Sequence, residues 1–125
     1  MDYRYGSHTV FKIEYHFVFV TKYRYQVLQG DVGYKARDLI KQTCDMHEIE
    51  IKKGSVSPDH VHIFVSAPPN IAPSEIMRRI EGRSSRKLFE VYPELRKRLG
   101  KTLLGKRVFL CNFGRGDRRD DQELY

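Results

Sequence analysis

The sequence predicts an α+β domain in which one antiparallel sheet carries helices on one of its faces. Three observations lead there. Runs of β-branched and aromatic residues with strand-like alternation occur four times. Two other stretches repeat apolar residues at three- and four-residue steps, the helical period. The order is strand, helix, strand, strand, helix, strand, which is the ferredoxin-like split βαβ pattern. With 125 residues the chain suits one domain with one core. No repeat or low-complexity linker divides it, so a single domain over 1–125 is expected, with an atypical tail from about residue 114.

Residues 9–20, TVFKIEYHFVFV, form the first predicted strand. Ile13, Tyr15, Phe17 and Phe19 fall on one face, and Glu14, His16, Val18 and Val20 on the other. A basic, tyrosine-rich loop, TKYRYQVLQG, follows. Asp31 is placed to cap a helix running to about Glu48, with Val32, Ala36, Leu39, Ile40, Thr43 and Met46 as its buried stripe. EIEIKKGSVS (48–57) alternates as a strand, with Gly54 a candidate bulge. PDHVHIFVSAPP (58–69) is the third strand, ended by prolines. Ser74 is placed to cap a second helix whose stripe is Met77, Ile80, Leu88 and Val91. Pro93 breaks it, a short basic helix ELRKRL follows, and RVFLCNF (107–113) is the fourth strand.

The formal net charge is +7, which favours polyanionic partners. Eleven Lys and Arg residues between 78 and 107 face only Glu81, Glu90 and Glu94, a one-sided balance that points to phosphate contact. No stretch is long and apolar enough to cross a membrane, and residues 1–9 lack the apolar core of a signal peptide, so a cytoplasmic protein is expected. Cys44 and Cys111 form no CxxC and read as buried thiols.

The stretch DHVHIF (59–64) carries the chemistry. On a strand His60, His62 and Phe64 share one face, while Val61, Ile63 and Val65 face the helices. The two histidine α-carbons then stand roughly 6–7 Å apart. Neutral imidazoles at that spacing can converge on one divalent cation, with the rest of the coordination left to a third ligand, water or a substrate phosphate. Taken alone, H-x-H also fits a merely polar sheet face. His16 reads as a hydrogen-bonded neighbour rather than a ligand.

Together these features resemble the HUH nuclease superfamily, and within it the single-tyrosine transposases of the IS-two-hundred/IS-six-oh-five type of insertion sequence. The resemblance rests on YHFVFVTKYRYQVL (15–28), SPDHVHIFVSAPP (57–69) and SEIMRRIEGRSSRKLFEVYPELR (74–96), in that order and spacing. It implies a DNA transposase that acts on single-stranded DNA with hairpin ends. It implies a divalent metal, Mg2+ or Mn2+, held by His60 and His62, and a tyrosine that attacks the scissile phosphodiester. Tyr125 is the candidate nucleophile. Arg79, Arg83, Arg86 and Lys87 would contact DNA, with Lys22, Tyr23 and Arg24 as further candidates. A homodimer is implied as well.

The tail departs from that family. No glutamine lies four residues after Tyr125, where the family places a residue completing the metal site. The chain has no tryptophan, and GRGDRRDDQELY makes a poor helix. Residues 104–125 read one base later, with permitted codons, can spell W-A-S-G-Y-F at the start and S-Y-I at the end, features the family has there. A frame-shifted tail would leave a protein that binds without cleaving. The competing reading is a non-catalytic single-stranded DNA- or RNA-binding module that stacks bases on exposed aromatic residues. A metal-dependent hydrolase of small molecules lacks the carboxylates such sites recruit.

Overall fold

The computed structural model describes residues 11–112, so Tyr125 and the tail lie outside the described residues. Strand β1 is Ile13–Thr21, followed by a 3-10 turn at Lys22–Arg24. Helix α1 is Gly30–Met46, strand β2 Glu50–Ser57, strand β3 His60–Ala67. Helix α2 is Pro73–Val91, helix α3 Pro93–Leu99, and strand β4 Leu104–Asn112. The sheet order is β2-β3-β1-β4, with every neighbouring pair antiparallel. The two central strands are thus β1 and β3, and the split βαβ expectation holds.

The core lies between one sheet face and the helices. Tyr15, Phe17 and Phe19 of β1 and Val61, Ile63 and Val65 of β3 are buried there. They meet Ala36, Leu39, Ile40 and Cys44 of α1 and Ile76, Met77, Ile80 and Leu88 of α2. Phe17 stacks between neighbours on its own strand, with ring centroids 5.5 Å from Tyr15 and 6.3 Å from Phe19. Burying a side chain of this size stabilises the fold by roughly 1.5–3 kcal/mol. Among the described residues, no helix is long and apolar enough to cross a membrane. Cys44 is a buried thiol and Cys111 a half-buried one, both free.

Several expectations shift locally. Helix α1 starts from Gln29 and α2 from Ala72, and neither cap residue makes a side-chain hydrogen bond. Asp31 and Glu75 instead sit in the first turns, where a carboxylate favours the positive end of the helix dipole. Pro73 occupies the first turn of α2, where its missing N–H costs nothing. Met46 and Val91, assigned to buried stripes, are exposed, each being the last residue of its helix. The bulge in β2 falls at Lys52, between Ile51 and Lys53, rather than at Gly54.

Candidate metal and nucleic-acid site

Strand register decides which side chains meet on the helix-free face. Across β1 and β3, Val20 pairs with His60, Val18 with His62, and His16 with Phe64. Paired residues share a face. His16, His60, His62 and Phe64 therefore all stand on the side of the sheet away from the helices. The rings of His16 and Phe64 stack at 4.4 Å, and those of His16 and His62 lie 5.8 Å apart. Hence His16 acts as a wall beside His62, in line with its reading as a neighbour of the pair.

His60 is oriented by its predecessor. Its Nδ1 lies 2.9 Å from Oδ1 of Asp59. A carboxylate can only accept, so Nδ1 carries the proton and the lone pair is left on Nε2. An imidazole fixed this way is a stronger and better aimed ligand. Asp59 is held in turn by Arg24, whose Nη2 donates to Oδ2 at 3.0 Å. The hydrogen bond to His60, helped by the Arg24 charge, keeps the Asp59 carboxyl below the usual carboxylate range. At His62, burial and then the nearby His60 lower the pKa, which favours the neutral imidazole near pH 7.

The donor set fits a divalent cation: two imidazoles on one face, one with its tautomer fixed. Among the described residues, no group of three or more His, Cys, Asp or Glu side chains could hold a metal. As candidate ligands, His60 and His62 would fill only part of a coordination sphere.

Residues 9–122 match the sequence pattern of the family described as transposase IS200 like. This chain belongs to the IS200-like transposase family. It is 35% identical over 94 residues to the ISDra2 transposase TnpA of Deinococcus radiodurans, a match covering 75% of this chain and 67% of that protein. It is 29% identical over 90 residues to the transposase for insertion sequence element IS200 of Salmonella typhimurium, covering 72% of this chain and 59% of that relative. In structure it resembles a transposase from Deinococcus radiodurans with a TM-score of 0.79 and 28% identity, over 99% of this chain and 95% of that one. A REP-associated tyrosine transposase, solved bound to a REP hairpin, shares the fold with a TM-score of 0.62 at 18% identity, over 97% of this chain and 68% of that one.

In this IS200-like transposase, the loop candidates lie beside the histidines. The Thr21 backbone N–H donates to the Asp59 carbonyl at 2.9 Å, and its hydroxyl donates to the Tyr25 carbonyl at 2.7 Å. These bonds tie the loop to the turn carrying Asp59. Tyr23 and Arg24 both adopt left-handed backbone, with φ of 57° and 54°. Such residues cost on the order of 1–3 kcal/mol each and persist only where surroundings impose them. Here Lys22 Nζ donates to the Leu99 carbonyl at 2.8 Å and fixes the entrance to the turn. Tyr23 is left 68% exposed, with Lys22 Nζ 5.4 Å over its ring and the Tyr25 ring centroid 5.4 Å away.

The α2 candidates are placed differently. Arg79 donates to Glu75 at 2.9 Å and contacts His47 Nδ1 at 3.0 Å. Arg83 reaches Thr43 Oγ1 at 3.3 Å and Gln42 Oε1 at 3.4 Å. Both arginines bridge α2 to α1 or its C-terminal end, in the helix layer, with the sheet between them and His60. Arg86 is exposed and Lys87 half-buried farther along α2. Of these candidates, Arg24 is the one whose contacts among the described residues lead to the histidine pair, through Asp59, while Lys22 turns to the Leu99 carbonyl. Two further neighbours escaped the sequence reading. Asp59 had a signal, since it directly precedes the first histidine. Arg98 had none: its guanidinium lies 4.9 Å over the Tyr25 ring, a contact made by α3 folding back on the loop.

Proposed function

We propose that this protein acts on single-stranded DNA with hairpin ends, cutting and rejoining it by tyrosine transesterification assisted by Mg2+ or Mn2+. The observation that carries this reading is the His60–His62 pair on one sheet face, with Asp59 orienting His60. A hairpin substrate is supported by the hairpin-bound REP-associated relative, which shares the fold. His60 and His62 would hold the metal, which when bound offsets charge on the scissile phosphate and eases deprotonation of the phenol. Asp59 holds the His60 proton on Nδ1, and Arg24 holds the other carboxylate oxygen of Asp59. Tyr23 and Lys22 bind the strand beside them. Tyr125 is the proposed nucleophile. Its phenolic oxygen forms a bond to phosphorus as the bond to the 3′-oxygen breaks, and that oxygen leaves as a hydroxyl. No ATP is needed, because the phosphotyrosyl bond keeps the energy of the diester.

The test is incubation with hairpin-ended single-stranded DNA and Mn2+, followed by a denaturing gel. A covalent protein–DNA adduct is expected, absent in Tyr125→Phe, in His60→Ala with His62→Ala, and on chelation. Binding without an adduct identifies a protein whose altered tail separates binding from cleavage. The gene's nucleotides then decide whether residues 104–125 are a shifted frame. Binding that prefers RNA and ignores chelator and histidine loss favours the stacking module, whose support is the exposed Tyr23 beside Tyr25. A homodimer is part of the proposal; a monomer in sedimentation at micromolar concentration would count against it.

A further inference from the structure

The opposite side of β3 floors a second, unassigned site. On β2, Ile51, Gly54 and Val56 pair with Val65, Ile63 and Val61, so these positions face the helix layer. Position 54 offers no side chain there. A β-carbon on Gly54 would stand 3.1 Å from Ile63 Cγ2 and 3.7 Å from Ile51 Cγ2. An open groove of about 690 Å³ lies between β2 and α1, with Gly54 in its lining. Its accessible apolar lining is Ile51 and Val56, which are partly buried, over Ile40, Val61 and Ile63, which are buried beneath them. Tyr34 stands on its α1 side, 67% exposed, with Arg37 and Lys41 one and two turns along the same stripe.

The charge of the lining is one-sided. Arg37, Lys41, Lys52 and Lys53 line it and no carboxylate does, although Lys53 pairs with Phe64 and so directs its side chain to the opposite sheet face. Lys52 is engaged by Glu14 at 3.5 Å. Among the described residues, no ion pair or hydrogen bond engages the side chains of Arg37, Lys41 or Lys53. An apolar slot with an exposed phenol and uncommitted cations matches a ligand that is flat and apolar at one end and anionic at the other.

We propose that this groove binds a nucleotide unit of single-stranded DNA, its base on the apolar floor against Tyr34 and its phosphate toward Arg37 and Lys41. The proposal rests on the reading of the chain as a protein of single-stranded DNA. The groove is separate from the histidine pair, because Val61 and Ile63 alternate with His60 and His62 on one strand and face the other way. A strand bound there would reach the histidine face around the β2 edge.

The test uses the full chain, a fluorescent hairpin-free single strand and EDTA, so that no metal bridges protein and DNA at the histidines. Tyr34→Ala changes no charge and should weaken binding at least about fivefold, as removal of one base–aromatic stack does, while leaving the salt dependence unchanged. Arg37→Gln with Lys41→Gln should instead flatten the salt dependence, its slope falling by about 0.7 for each phosphate that is no longer neutralised. Gly54→Val adds only three carbons to a groove of about 690 Å³, so it narrows the β2 side locally and should weaken binding by less than Tyr34→Ala. A bromodeoxyuridine strand should photo-crosslink to the α1 segment carrying Tyr34. Wild-type affinity in Tyr34→Ala overturns the proposal, even if Gly54→Val is too unstable to assay. So does a wild-type protein that binds no single strand in EDTA. The adduct assay judges the transesterification reading separately, since Tyr34 and Gly54 take no part in it.

Discussion

The two faces of strand β3 differ by a one-residue step and have different fates. Val61, Ile63 and Val65 point under the helices and are at most 4% exposed. His60, His62 and Phe64 point the other way and remain partly open, with the His60 side chain 38% exposed. The strand's backbone serves both faces, so a rigid core fixes the spacing of the candidate ligands. The separation has a cost in design freedom, because a one-residue slip in register would send the histidines into the core and the valines to the surface.

The largest expected effect comes from attacking the covered face. Phe17 is fully buried at the centre of the sheet. Phe17→Ala should destabilise the protein by about 3–5 kcal/mol, read as a lower urea midpoint. His60→Ala with His62→Ala should leave the urea midpoint within about 1 kcal/mol of wild type, since both side chains stand on the open face. The same double change should abolish Mn2+ binding, followed by the free Mn2+ signal in electron paramagnetic resonance. A comparable stability loss from the histidine pair would erase the contrast between the faces.

An intermediate effect is expected at Asp59, which touches no candidate metal position and acts through His60. Asp59→Asn keeps a side chain of the same shape, but its carbonyl is a weaker acceptor and Arg24 loses its charged partner. Metal affinity should fall about 10–100-fold, with stability little changed. Arg24→Gln should fall in the same direction by less, because Asp59 would still accept from His60. Equal metal affinity in Asp59→Asn and wild type would remove Asp59 from the site.

Much of this contrast was legible in the sequence, because alternation is a local property. Val61, Ile63 and Val65 could be separated from His60 and His62 by counting in twos, and the helix stripes by counting in threes and fours. Contacts made by chain reversal were not legible. Arg79 and Arg83 look like free cations on a basic helix, yet α2 packs on α1 and brings them to His47 and Thr43. Arg98 meets Tyr25 from a distant part of the chain, and nothing in either local pattern announces it. Met46 and Val91 fit the helical period but sit at helix ends and are exposed among the described residues, so periodicity overextends the stripe there.

The smallest expected effect tests whether a guanidinium–carboxylate contact behaves alike on both sides of the sheet. In the helix layer, Glu75 accepts hydrogen bonds from Arg78 and then Arg79, which lower its pKa to about 2 from an ordinary value of 4.5. A carboxyl whose folded pKa is depressed stabilises the folded state above the unfolded pKa. That contribution is lost as pH falls from about 4.5 toward 2. Glu75→Gln should therefore lower the urea midpoint slightly at pH 6, and the difference should close as the pH approaches 2. The size will be modest, because the arginines are well exposed and water screens the pair. Asp59 is also depressed, but its first cause is the hydrogen bond to His60 rather than an arginine. A Glu75→Gln difference that persists unchanged at pH 2 would show that the side chain acts by packing and not by charge. The likeness between the two carboxylates would then be one of geometry alone.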